Sequence, residues 1–325
     1  MKRVLMLLLV FSLIGITVCA ATATFRLNWY AQGIHTPFFA AYEKGYYAEE
    51  GIDLTIREGT GSGVTVRLVG NKSETFGFAD AATAMLGIAQ GIPIKIIAPI
   101  YAVNGFAIVT LADKGITTPK DLEGKRVAIT PGDALTGLFP AVVQANNLDD
   151  SKITYVSMDA AAKPAALMAG RVDAILGGAD DQAIRLEEQG YDVVVLRFAE
   201  YGVPTIGLAL LAHEDTIRDN PELVRAFLRA TLKGWAEAYM DTEEIVSLGL
   251  PYMPDVSFPR ALAEVQVALD SLFSPNSNVI GMPTTQDWAR SVELLKLYGG
   301  LETDKPATFF YDESVLPYWL HRKVQ

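Results

Sequence analysis

The chain has 325 residues, half of them apolar, which is enough for two domains with full-sized cores. Its net charge of −11 at pH 7 leaves no basic face for a phosphate backbone, which argues against nucleic acid as a partner. Cys19 is the only cysteine, so no internal disulfide can form, and His35, His213 and His321 lie too far apart in sequence to suggest a metal site.

Residues 1–23 have the three parts of a secretory signal. Lys2-Arg3 is the positive start, and 4–18 is an apolar run too short for a comfortable membrane span. Val18-Cys19-Ala20 and Ala21-Thr22-Ala23 then offer two cleavage sites. Lipid anchoring at Cys19 is the alternative, although Val18 stands where a lipoprotein signal prefers a small residue. No later run of about 20 apolar residues exists, so a soluble protein exported to the periplasm is expected.

Residues 27–30 read as a short strand ending in Trp29 and Tyr30. Thr36-Pro37 then starts a helix, because a threonine caps well and a proline is tolerated in the first turn. Strands are expected at 53–57, 75–78 and 94–100, with helices at 64–69 and 81–90. The 94–100 run is apolar enough for a strand buried on both faces. This rhythm predicts a parallel sheet with right-handed crossovers. After a strand at 106–111 and a polar connector around Thr118, a second α/β series begins. It has strands at 126–130, 153–156, 172–176 and 191–196, and helices at 134–147, 159–168 and 179–189. A strand at 206–211 follows the break at Tyr201-Gly202-Val203-Pro204. The rest is expected to be helical, at 220–239, 258–272, 285–298 and 316–323.

The predicted fold is α/β, with two α/β lobes joined by two crossover strands near 106–111 and 203–211. Lobe 1 comprises 24–110 and 205–325, with a helical C-terminal region packed on it. Lobe 2 is the insertion 111–204. Two lobes on two crossings describe a hinge that closes around a ligand.

Several motifs resemble the solute-binding proteins of bacterial ABC importers. They are Leu27-Asn28-Trp29 with His35, Lys44-Gly-Tyr-Tyr-Ala-Glu-Glu-Gly-Ile-Asp-Leu54, Thr118-Pro-Lys-Asp-Leu-Glu-Gly-Lys-Arg-Val127, Met168-Ala-Gly-Arg-Val-Asp-Ala174, and Asn220-Pro-Glu-Leu-Val-Arg-Ala-Phe-Leu228 with Lys233-Gly234. The chain is most similar to the thiamine-precursor and riboflavin branch, related to the taurine, alkanesulfonate and nitrate binders. The resemblance implies a type II periplasmic binding fold, a small-molecule ligand between the lobes, no cofactor, and delivery to an ABC permease in the inner membrane by a monomer. It also implies that Trp29 stacks on a heteroaromatic ring. Enzymes of thiamine and menaquinone synthesis share the scaffold. The former need a cysteine-rich motif and the latter are cytoplasmic, so a binding role is expected here, with a periplasmic sensor as a further alternative.

Ligands of open α/β sheets sit in the loops at the carboxyl ends of strands. On lobe 1 these loops hold Asn28, Trp29, Tyr30, His35, Ser62, Asp80, Thr83 and Tyr101. On lobe 2 they hold Gly132, Asp133, Thr136 and Asp180, with Tyr201 at the hinge. For Trp29 the competing role is core packing, and for His35 it is a cap. Gly59-Thr60-Gly61-Ser62-Gly63 lacks the Lys-Ser/Thr end of a nucleotide loop, but its N–H groups could hold an anion or a carbonyl. Asp80 and Asp133 read also as helix caps, and Asp180-Asp181 as carboxylates favouring a helix dipole. These loops are short of Arg and Lys and hold aromatics and carboxylates, which tilts the ligand toward a neutral or weakly basic aromatic. A sulfonate, taurine or nitrate-like anion held by backbone N–H groups is the alternative.

Overall fold

The computed structural model describes residues 20–317. Cys19, nearly all of the expected signal and most of the helix expected at 316–323 lie outside the described residues. The first strand, β1 (Ala21–Arg26), starts earlier than residue 24 and ends before the stretch expected to be a strand at 27–30. It pairs in parallel register with β2 (Ile52–Arg57), from Ala21 against Ile52 to Arg26 against Arg57. Of the two expected cleavage sites, only Val18-Cys19-Ala20 leaves this strand whole.

β3 (Phe76–Asp80), β4 (Ile94–Pro99) and, much later, β10 (Leu208–His213) complete the first sheet, in the order β2-β1-β3-β10-β4. The second sheet contains β5 (Phe106–Leu111), β6 (Arg126–Ile129), β7 (Thr154–Ser157), β8 (Ala174–Gly178) and β9 (Val193–Arg197), in the order β7-β6-β8-β5-β9. Neither sheet is purely parallel, which corrects the expected topology. β10 runs antiparallel to β3 and β4, and β5 antiparallel to β8 and β9. Each crossing of the chain thus inserts one reversed strand into the sheet it enters. Because β5 belongs to the second sheet, the outgoing crossing lies before Phe106 rather than at the end of that strand.

The helices are α1 (Thr36–Glu43), α2 (Tyr46–Glu49), α3 (Ser62–Gly70), α4 (Ala81–Ala89), α5 (Ala134–Ala145), α6 (Lys163–Met168), α7 (Gln182–Glu188), α8 (Glu214–Asp219), α9 (Pro221–Met240), α10 (Thr242–Gly249), α11 (Phe258–Leu269) and α12 (Thr285–Leu297). α9 begins with proline in its first turn, as the Asn220-Pro221 pair predicts. It lays Phe227 flat on Phe76 at 3.9 Å, while Phe38 of α1 meets Phe25 and Trp235 edge-on at 5.0 and 5.6 Å. This aromatic layer is the core of lobe 1 on one face of the first sheet. On the other face, α3, α4 and α12 share a buried cluster that runs on into the second lobe through Leu138, Phe139 and Val142 of α5. The C-terminal helices pack on lobe 1, and α11 and α12 also reach lobe 2.

Asn104 stitches the two crossings. Its buried carboxamide donates to the Val203 and Thr205 carbonyls at 3.0 and 3.2 Å and to the Thr205 hydroxyl at 2.8 Å. Its backbone N–H donates to the Thr205 carbonyl at 2.7 Å. Among the described residues no helix is long and apolar enough to cross a membrane.

Candidate functional site

The loop after β1 turns because the loop after β2 lies directly against it. The Gly59 and Gly61 N–H groups donate to the Trp29 and Asn28 carbonyls, both at 2.9 Å. A Cβ at Gly59 would stand 2.0 Å from the Leu27 carbonyl oxygen, so this approach requires glycine. Trp29 and Tyr30 therefore lie beyond the strand, 37% and 55% exposed, with their rings edge to face at 5.5 Å. Neither is a core aromatic. An indole of that exposure, held by backbone bonds to its own and the preceding carbonyl, is a surface on which a flat ring can stack.

His35 has no exposed surface, and its ring accepts from the Gln32 backbone, the cap-like one of the two roles expected for it. It lies in a 3-10 turn, Gly33–His35, that leads into α1. Its Nδ1 accepts from the Gln32 N–H at 3.1 Å, so the neutral ring carries its proton on Nε2 and donates to Asn28 Oδ1 at 2.8 Å. Burial lowers its pKa to about 3, which keeps the imidazole neutral. Its role is to orient Asn28 and hold the loop beneath Trp29. Thr36 does not cap α1; its hydroxyl donates back to the Gly33 carbonyl at 2.8 Å.

Ser62, Asp80 and Thr83 form the adjoining corner at the N-termini of α3 and α4. The Ser62 hydroxyl accepts from the Asp80 N–H at 3.0 Å, and Asp80 Oδ1 accepts from the Thr83 N–H and hydroxyl at 2.9 and 3.0 Å. Asp80 is thus an N-cap, as its position before α4 predicts. Burial raises its pKa to about 6, with the bonds from Thr83 opposing the shift. Tyr101, after β4, is buried, and its hydroxyl crosses the lobe boundary to donate to Asp180 Oδ2 at 3.1 Å. Burial and then the neighbouring Asp181 charge raise Asp180 to about 6. Through this bond Asp180 joins lobe 2 to the lobe 1 wall, one of several contacts between the lobes.

The second-lobe wall is built around α5. Gly132, at φ +85°, turns the chain, and Asp133 caps α5 by accepting from the Thr136 N–H at 2.7 Å. The Thr136 hydroxyl donates to the Thr130 carbonyl at 2.9 Å. Behind them stands Lys163, 1% exposed, whose Nζ donates to the Leu176 carbonyl at 2.8 Å and lies 3.4 Å from Asp133 Oδ2. Burial lowers its pKa and Asp133 opposes the shift. Nothing in the Lys163-Pro164 sequence signals this, since the pair reads as an ordinary helix start. Tyr201 belongs elsewhere. Its carbonyl accepts from the Asn146 carboxamide at 3.0 Å, at the opposite end of α5 from Asp133, and its ring packs against the shared core.

Asn28 and Trp29 are bonded to the 59–61 backbone that leads into Ser62, Ser62 with Asp80 and Thr83 forms one corner, and Tyr101 with Asp180 forms a separate pair. Gly132, Asp133 and Thr136 form the second-lobe wall, His35 supports Asn28 from behind, and Tyr201 stands apart. Among the described residues no group of three or more His, Cys, Asp or Glu is placed to hold a metal ion.

Comparison with known proteins places this architecture. The chain is 28% identical over 273 residues to the riboflavin-binding protein RibY of Chloroflexus aurantiacus, covering 81% of this chain and 77% of the relative. It is 24% identical to the formylaminopyrimidine-binding protein of Halalkalibacterium halodurans, covering 86% of each. A 4-amino-5-hydroxymethyl-2-methylpyrimidine phosphate synthase of Uromyces fabae is 28% identical and covers 66% of each. The periplasmic aliphatic sulphonate binding protein SsuA of Escherichia coli superposes with a TM-score of 0.72 at 15% identity, covering 90% of this chain and 97% of that one, which shows the type II periplasmic binding fold. The "NMT1/THI5 like" family pattern matches residues 32–245, well over half of the chain, and the protein belongs to that family.

Proposed function

We propose that this protein is the solute-binding component of an ABC-type importer, and that it captures a small heteroaromatic ligand of the pyrimidine or flavin kind by closing its lobes. The observation that carries this reading is Trp29. It is an exposed indole at the carboxyl end of β1, braced by the neutral His35 through Asn28, beside a corner rich in hydrogen-bond groups. Stacking offers the apolar part of the contact, and carboxylates such as Asp80 and Asp180 suit the N–H donors of an amino-substituted ring. The relatives that bind riboflavin and a formylaminopyrimidine support the same ligand class. The signal-like residues 1–23 and the periplasmic relatives of this fold support an exported, periplasmic setting.

A binding role is favoured over catalysis. Both described histidines are buried and engaged, His35 with Asn28 and His213 as the cap of α8 through the Asp215 N–H at 2.9 Å. The relatives with the widest coverage named here are binding proteins.

The test is a thermal-shift screen with riboflavin, 4-amino-5-hydroxymethyl-2-methylpyrimidine, taurine and nitrate. A ligand at 100 times its Kd adds about 2.7 kcal/mol to stability. A clear shift with a heterocycle is expected, and a shift with taurine or nitrate alone refutes the heteroaromatic assignment.

A further inference from the structure

Helix α11 belongs to the C-terminal region, yet it runs along the second lobe. At its start the Ser257 hydroxyl donates to Glu188 Oε1 at 3.0 Å, at the end of α7. Just past its end, Asp270 accepts from Arg197 Nη2 of β9 at 3.4 Å. Between them Val267 packs against the inner cluster of lobe 2 that holds Ala107 and Val109. The opposite side of α11 is locked to lobe 1 through Ala261 and Val265, which pack on Val246 of α10.

In the first turn of this helix, Arg260 stands between the lobes. Its Nε donates to Glu264 Oε1 at 2.6 Å, and its Nη2 lies 4.0 Å from Asp181 Oδ1 on lobe 2. Glu264 has no exposed surface, and its other oxygen accepts from the Gly33 N–H at 2.5 Å. The backbone of Gly33 presses on the same helix: a Cβ there would stand 2.6 Å from the Ala261 carbonyl oxygen. Gly33 opens the turn that holds His35, and His35 holds Asn28 next to Trp29. A continuous set of contacts therefore runs from Asp181 through Arg260, Glu264 and Gly33 to the loop that carries the exposed indole.

We propose that α11 couples the position of lobe 2 to the 28–35 loop, with Arg260 as the positioning residue that reads Asp181 across the lobe boundary. The lobe-2 contact orients Arg260, Arg260 holds the Glu264 carboxylate, and that carboxylate fixes Gly33 and the turn behind Asn28. An open lobe removes the first contact and loosens the last. The inference takes the 28–35 loop as a wall of the ligand cleft, as proposed above.

Hydrogen exchange on the ligand-free full chain tests it. Asp181→Asn touches no atom of the 28–35 loop and should accelerate amide exchange there by about tenfold while leaving β3 unchanged. Asp181→Glu, which keeps the carboxylate, should retain the wild-type rate. Arg260→Gln combined with Glu264→Gln strands no buried carboxylate and should accelerate the same segment. Wild-type exchange of residues 28–35 in Asp181→Asn overturns the coupling, and so does acceleration spread equally over β3, which is general destabilisation. Because this readout needs no ligand, it separates from the screen. A protein that answers neither riboflavin nor the aminopyrimidine refutes the ligand assignment and leaves the coupling to stand or fall on exchange alone.

Discussion

The two sheets follow the same path, β2-β1-β3-β10-β4 and β7-β6-β8-β5-β9, each with one reversed strand beside its third-placed member. The walls proposed to line their cleft nevertheless differ in chemistry. The first presents an exposed indole backed by a buried, neutral imidazole, and the second presents Asp133 backed by a buried lysine. In both, a titratable group is removed from water behind a side chain of the wall. In the first lobe it gives up its charge, and in the second it stands near a carboxylate. Identical topology therefore fixes where the loops are, while the residue buried behind each loop decides what that loop can offer a ligand.

The contrast can be broken from either side. The largest effect is expected at the support of the first wall. His35→Ala strands the Asn28 carboxamide and the Gln32 N–H and leaves a cavity, costing about 3 kcal/mol of stability in chemical denaturation. A loss under half that size would show that the imidazole is not the brace described here. Trp29→Ala should do the reverse, weakening heterocycle binding by about 2 kcal/mol in calorimetry with little change in stability, because the ring is already partly in water. Unchanged affinity removes Trp29 from the site.

His35 and Asp180 predict opposite pH dependences. The His35 pKa is about 3 when folded against 6.5 for the free side chain. Its contribution is therefore fully present above pH 6.5 and is lost as pH falls toward 3, at up to about 1.4 kcal/mol per pH unit. Asp180 is raised from 3.8 to about 6. Its contribution is present below pH 3.8 and is lost as pH rises through about 6. Between pH 4 and 6 the two oppose each other, so stability in Asp180→Asn should fall more steeply with acid than in the wild type. A pH profile identical to wild type contradicts the assignment.

The smallest effect is expected behind the second wall. Lys163→Met removes a buried charge together with its desolvation cost, so stability should change by less than about 1 kcal/mol. Asp133 keeps its bond from the Thr136 N–H and should still cap α5. A loss of several kcal/mol would make Lys163 as structural as His35 and erase the contrast between the walls.

Much of this molecule is legible in the sequence because local chemistry dictates it. Asp80 and Asp133, each three residues before a threonine, read as caps and are caps. Trp29 is read at the end of the first strand, and the structure sets it in the loop just beyond. What the sequence by itself determined are most of the elements and the two α/β series, since propensity, capping and apolar spacing act over a few residues. The tertiary structure alone decided the rest. The reversal of β5 and β10, the burial of His35 and Lys163, the meeting of Tyr101 with Asp180 and the run from Asp181 to Gly33 all join residues far apart in the chain. A residue's charge state and partner depend on what folds over it, and no local pattern carries that information.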